Sequence, residues 1–305
     1  MNNTSLKLRT IVVATDLSDP ASIALKYAQA LARLRQSLLV IVHVIDPLAY
    51  AFPEGAPSTL AADKAARQEL SRIEEEARDL GIATQSVVEN GVVCERILQT
   101  IADHHADLLI LGTRATTEAG RVALGTVARQ LLSKAPCPIL AVSPSAESLL
   151  PWAGHWRHVL AATDFSPASL VALRYAHRIA HTQLFALHVA SNANEHDHSS
   201  CMERLRFLAP FNEAHTVPVE HLVSIGEPAK LIGLYANKVH ADLIVLGSPA
   251  NELGEKDFPS STVLQVVSSA TCPVLCVPPL RAAAAEKPIQ QVIGGSQNEE
   301  VSLQC

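Results

Sequence analysis

Short apolar runs alternate with amphipathic stretches along this 305-residue chain. Residues 10–15 (TIVVAT) are almost continuously apolar, the pattern of a strand buried on both faces. Ser18 follows where a helix cap is needed, and Pro20 falls in the first turn, where a missing N–H costs little. Ala24, Ala28, Leu31 and Ala32 then recur at three- and four-residue spacing, giving that helix one apolar face. A second strand is predicted over Leu38 to Ile45, followed by a Pro- and Gly-containing loop at 46–58. Next come a charged helix over Leu60 to Leu80, with Gly81 as its stop, and a shorter strand near Ala83 to Val88. A helix from Val92 to about Asp103 leads into a strand at Asp107 to Gly112. After a polar loop, Thr126 to Ser133 reads as a helix and Pro138 to Val142 as a last strand.

The series then starts again. IVVATDLS (11–18) returns as VLAATDFS (159–166), HADLLILGTRA (105–115) as HADLIVLGSPA (240–250), and APCPILAVSP (135–144) as ATCPVLCVPP (270–279). All three echoes keep their order, so the repeated unit is a whole domain. Strands alternating with helices predict the α/β class with a mostly parallel sheet. The first domain is expected over residues 6–143 and the second over 155–279, with a shorter middle helix around 195–210. Residues 143–156 read as the linker, and the polar, weakly patterned residues 280–305 as a mobile tail.

With 48% hydrophobic and 18% charged residues the chain is globular, and with only 4% aromatics its cores must be built from Val, Ile, Leu and Ala. A net charge of −6 argues against nucleic acid as the main partner. No apolar stretch reaches membrane-span length, so no membrane is expected as a partner. Six cysteines lack CxxC spacing, and Cys272 and Cys276 share one apolar strand, which predicts buried thiols and a cytoplasmic setting.

In open α/β sheets ligands bind beyond the carboxyl ends of the strands. Asp16, beside Thr15, closes the first strand there, and GTRATTEAGRVALGT (112–126) follows the fourth. Gly112 permits a tight turn at the strand end. Gly125 and Thr126 stand at a helix start, where free N–H groups and the helix dipole favour an anion. The Thr126 hydroxyl could cap that helix or meet a phosphate oxygen, and Arg114 could reach one; equally, the glycines could serve turns alone. Other chemistry finds little footing. There is no G-x4-G-K-[ST] and no G-x-S-x-G. His196 and His198 flank Asp197 without a second pair at helical spacing, which favours a solvated loop over a metal site. His43 and His188 recur at the ends of equivalent strands and read as part of the shared fold.

On these residues each copy resembles a domain of the universal stress protein family, and the chain resembles its tandem members. The resemblance implies two Rossmann-like, adenine-nucleotide-binding domains, each a five-stranded parallel sheet of order 3-2-1-4-5, pairing through their last strands as an intramolecular pseudo-dimer. The family's ATP-binding loop, G-x2-G-x9-G-[ST], falls on Gly112, Ala115, Gly125 and Thr126, with alanine in place of the second glycine. Asp16 takes the place of the adenine-contacting aspartate and Val44 that of the backbone contact at the end of strand two. Phosphates would then meet the amides of Gly112, Thr113, Arg114 and Ala115 and those of Gly125 and Thr126, with a divalent cation such as Mg2+ shared by their oxygens. The second copy keeps Asp164, Val189, Gly247 and Ser261, but has Ala250 and Ser260 at glycine positions and adds Glu252, Glu255 and Asp257. The resemblance thus implies a non-enzymatic ATP-binding stress-response protein with its nucleotide in the first domain. The alternatives are a nucleotide-free scaffold acting through its surface or dimer state, and a slow ATPase. Whether two chains form a homodimer stays open.

Overall fold

The structure, a computed structural model, describes residues 7–47, 59–116, 122–149, 155–190, 198–210, 217–248 and 261–279. The expected tail, the HDH histidine His196 and the loop residues Ala250, Glu252, Glu255, Asp257 and Ser260 lie outside them.

The first domain runs β1 (Thr10–Ala14), α1 (Asp19–Arg35), β2 (Leu38–Ile45), α2 (Thr59–Asp79), β3 (Thr84–Asn90), α3 (Val93–Asp103), β4 (Leu108–Gly112), β5 (Arg114–Thr116), β6 (Val122–Leu124), α4 (Thr126–Lys134) and β7 (Ile139–Val142). The second runs β8 (Trp156–Thr163), α5 (Pro167–Ile179), β9 (Ala180–Ala190), α6 (His198–Leu208), β10 (Val219–Ile225), α7 (Pro228–Lys238), β11 (Leu243–Gly247), α8 (Thr262–Ser269) and β12 (Val274–Val277). As expected, α6 is much shorter than α2.

Among the described residues the strands form one ten-stranded sheet of order β10-β9-β8-β11-β12-β7-β4-β1-β2-β3, so each domain contributes the order 3-2-1-4-5. Within this sheet, pairing inside each domain is parallel. Where the domains meet it turns antiparallel, Leu275 of β12 facing Leu140 of β7. A continuous apolar core covers each face of the sheet. One is closed by α1, α2, α5 and α6, the other by α3, α4, α7 and α8. The continuous Val/Ile/Leu runs of β1, β2, β4, β8 and β11 follow from this double coverage.

Two local features depart from the expected elements. The polar loop after β4 folds partly into an antiparallel hairpin, with Arg114, Ala115 and Thr116 facing Leu124, Ala123 and Val122. The linker is also more ordered than its sequence suggests. Pro144–Leu149 form a 3-10 turn docked on α1, where the Tyr27 hydroxyl donates to the carbonyl of Ala146 at 2.7 Å and Lys26 meets Glu147. Both Tyr27 and Ala146 are fully buried, and burial pushes the Tyr27 phenol up. The two HAD segments are structural. Asp107 accepts from the N–H groups of Arg9 and Thr10, and Asp242 from those of Arg157 and His158, each tying the start of strand one to strand four. Cys137, Cys272 and Cys276 are free thiols that burial pushes up to about 12, which leaves them protonated and unreactive at neutral pH.

Candidate functional site

The first domain's cavity, about 290 Å³, opens at the carboxyl ends of β1, β2 and β4, against α3 and the start of α4. Of the residues singled out by sequence, Thr15, Asp16, Val44, Gly112, Gly125 and Thr126 all line it.

Asp16 is exposed at the rim, on a turn whose shape is over-determined. Leu17 holds a left-handed φ of 63°, costly for a leucine. The Leu17 N–H donates to the Thr15 hydroxyl at 3.0 Å, and the Ser18 N–H to Asp16 Oδ1 at 3.0 Å. Leu17 also packs on the core beneath, which offsets part of the strain. The Ser18 hydroxyl donates to the same Oδ1 at 2.5 Å. Ser18 caps α1, accepting from the Ala21 N–H, as its position predicted.

Val44 lines the cavity near the end of β2. In β2 the Leu38 N–H donates to Arg9 and the Val42 carbonyl accepts from Thr15, so even-numbered residues turn their peptide groups toward β1. β1 pairs only as far as Ala14, opposite Val42. The N–H and C=O of Val44 therefore emerge past the end of β1, at the cavity wall. Beside them His43 Nδ1 sits 2.9 Å from the Thr15 carbonyl. A carbonyl can only accept, so Nδ1 carries the proton and the ring serves the fold.

At the far end α4 begins. Its cap residue is Gly125, with no side-chain cap, and Thr126 is already in the first turn. Of the two roles open to the Thr126 hydroxyl, helix capping is therefore not the one seen, and the first-turn amides stay uncapped beside Gly112. Thr113 is turned away: it is buried, and both its N–H and hydroxyl donate to the Val142 carbonyl of β7. Arg114 and Ala115 pass into β5, an extended backbone any residue adopts, so alanine costs no strain there. Their side chains lie outside the described residues. Sequence reasoning missed Val93 and Ile97, one helical turn apart on α3, which close the apolar wall. Their spacing signals a buried face but not which cavity it borders.

The sequence matches the universal stress protein family over residues 7–143 and again over 155–278. The chain belongs to that family. A universal stress protein of Mycolicibacterium smegmatis is 27% identical over 293 residues, covering 88% of this chain and 97% of its own. A shorter one from Thermus aquaticus is 32% identical over 138 residues, 44% of this chain and 98% of its own. The fold is also that of a solved universal stress protein from Archaeoglobus fulgidus, with a TM-score of 0.68 over 88% of this chain and 96% of that one at 19% identity.

The second universal stress domain holds an equivalent cavity, about 520 Å³, lined by Thr163, Asp164, Val189, Gly247, Ser261 and Thr262 among others. Phe165 repeats the left-handed turn at φ 66°, and the Ser166 N–H donates to Asp164 Oδ1 at 2.9 Å. Burial alone would raise the Asp164 carboxyl, but hydrogen bonds from Ser166 and Ser169 outweigh it and hold it below the usual carboxylate range. The helix start differs: Ser261 caps α8 with its own hydroxyl, which accepts from the Leu264 N–H at 3.3 Å. No described helix is long and apolar enough to cross a membrane.

Proposed function

We propose that this universal stress protein is a non-enzymatic regulator that holds ATP in its first domain. The observation carrying this is that one cavity joins two kinds of recognition. At one end, the Val44 N–H and C=O and the Asp16 carboxylate offer a donor and acceptors to the edge of an adenine and to ribose hydroxyls. At the other, the uncapped amides of α4 and its dipole face the place a phosphate chain would take. The apolar floor of Val42, Ile97 and Leu111 suits a flat base between them. Among the described residues lining the cavity, Asp16 is the one ionisable group, which supports binding rather than turnover. Mg2+ would be carried on the phosphate oxygens, since the described residues hold no cluster of three metal-ligating side chains.

The antiparallel β7–β12 seam supports the two domains acting as an intramolecular pseudo-dimer. Free thiols at Cys94, Cys137, Cys272 and Cys276 support a reducing, cytoplasmic setting. Titration calorimetry with ATP tests the reading. Saturable binding is expected, abolished by Gly125→Glu and little changed by Ser260→Glu. Folded protein that binds none of ATP, ADP or AMP would refute it and leave the scaffold; phosphate release above background from bound ATP would replace it with a slow ATPase.

A further inference from the structure

A further cavity lies between the two domains, on the face of the sheet covered by α1 and α5, and shares no residue with the two at the carboxyl ends of the strands. Its floor is the seam, where Leu140 of β7 faces Leu275 of β12, and Leu31 of α1 and Ile179 of α5 flank it. These walls match across the repeat: Leu31 and Ile179 hold the same place in their copies, as do Leu140 and Leu275. One matched pair is unequal. Trp156, at the start of β8, stacks on Tyr27 of α1 with ring centroids 6.1 Å apart. The equivalent contact in the other direction is Leu8 with Tyr175 of α5, and both line the cavity. Leucine supplies no indole there, so the space beside Tyr175 stays open.

The same cavity holds an unanswered charge. Arg35, at the end of α1, lines it, and its Nε is buried without a hydrogen-bond partner. Among the described residues Arg35 makes no ion pair, and burial pushes its guanidinium down. Asp107, which also lines the cavity, spends its Oδ2 on the N–H groups of Arg9 and Thr10. His155, within electrostatic reach of Arg35, stacks on His181 at 4.4 Å, and burial, His181 and Arg35 in that order push its imidazole down. A buried guanidinium donor left without a partner is costly. Water answers it poorly among leucine, isoleucine and aromatic walls, since a buried water needs about two to four polar partners. An anion with a hydrocarbon end satisfies both the charge and the walls. The cavity, about 40 Å³, has room for about three water-sized groups, one water needing about 10–15 Å³.

We propose that this interdomain cavity is a site for a short aliphatic monocarboxylate, its carboxylate on Arg35 and its hydrocarbon end among Leu8, Leu140 and Leu275. A guanidinium and a carboxylate form the strong, charge-assisted pair the site lacks. The ligand touches both domains and so ties their pairing together. None of this depends on nucleotide binding in the first domain.

Calorimetric titration of the full chain with sodium propionate, at an ionic strength held constant with sodium chloride, tests this. Saturable binding at one site per chain is expected, with a thermal midpoint that rises as propionate is added. Propionamide, of the same shape without the charge, should bind at least about tenfold more weakly, and Arg35→Gln should weaken propionate binding by roughly the same factor or more. Leu8→Trp supplies the missing indole, and should abolish propionate binding without lowering the midpoint measured in its absence. Lack of saturable binding to the wild-type chain would overturn the proposal, as would propionamide binding as tightly as propionate. Undiminished binding to Arg35→Gln or to folded Leu8→Trp would do the same. Nitrate binding as tightly as propionate would also refute it, because the apolar walls would then contribute nothing. If Leu8→Trp does not fold, Leu8→Phe takes its place with the same expected loss.

Discussion

Gly112 and Gly247 end equivalent strands, β4 and β11, yet a methyl group added to each meets different surroundings. At Gly247 a Cβ would lie 2.4 Å from the Ser169 nitrogen, 2.5 Å from the Ala168 carbonyl carbon and 2.6 Å from the Ser169 Cα. These are backbone atoms in the first turn of α5, so no side chain can rotate out of the way. Restoring ordinary contact requires α5 to retreat by about 1 Å, in a core packed like a crystal, and overpacking of this kind costs about 1–3 kcal/mol. The upper part of that range applies, because the same turn carries the Ser166 cap and the Thr163–Ser169 hydroxyl pair. At Gly112 the nearest atom would be the Ala21 Cα at 3.8 Å, an ordinary contact. Neither glycine has a positive φ, so alanine strains neither backbone. Gly112→Ala then gains about 0.4–1 kcal/mol from the stiffer unfolded chain. The two variants should differ by about 2–4 kcal/mol, with Gly247→Ala destabilised and Gly112→Ala as stable as wild type or more so. Urea denaturation followed by far-UV circular dichroism measures both. Because Gly112 lines the first cavity, its variant should also lose ATP affinity while keeping stability. Equal midpoints for the two variants, or a Gly112→Ala that unfolds as early as Gly247→Ala, would refute the steric argument.

Tyr27→Phe should lower stability by about 1–3 kcal/mol, because it leaves the buried Ala146 carbonyl without its donor; a thermal melt with intact secondary structure at room temperature checks it. The Asp164 carboxyl, held below its usual value, contributes stability that is present above the unfolded value of about 3.9 and lost as pH falls through the lower folded value. The stability gap between wild type and Asp164→Asn should therefore be constant from pH 5 to 7, to within about 0.5 kcal/mol, and close in more acid solution. A gap that widens on acidification would reverse the assignment.

Much of this was legible in the chain itself. The apolar runs predicted the inner strands to within a residue or two because burial on both faces forces the same residues that sterics favour in strands. The cap at Ser18 was legible because a helix start needs a specific acceptor. What escaped depends on three-dimensional neighbours. Nothing in the composition of 113–125 marks three-residue strands, whose partner is each other rather than the main sheet. Leu17 and Phe165 carry no glycine signal for positive φ, since their strain is borne by packing and by two local hydrogen bonds. Thr113 looked like a phosphate contact by motif position, but its donors are spent on β7.

The two domains differ where the fold leaves them free to differ. Sheet, seam and helix faces all border the two cores, each of which runs through both domains. The HAD aspartates and the paired histidines His43 and His188 are fixed by backbone partners in the same way. The aspartate turns persist because each is closed by its own side chains. The copies differ in the stretch between strand four and the next helix, whose net charge is +1 over residues 113–126 and −2 over 248–261, and in the helix start itself, which is Gly125 without a side-chain cap in the first and the capping Ser261 in the second. What those fixed parts preserve is the cavity at the carboxyl ends of the strands, which remains formed in both domains, about 290 Å³ in the first and about 520 Å³ in the second.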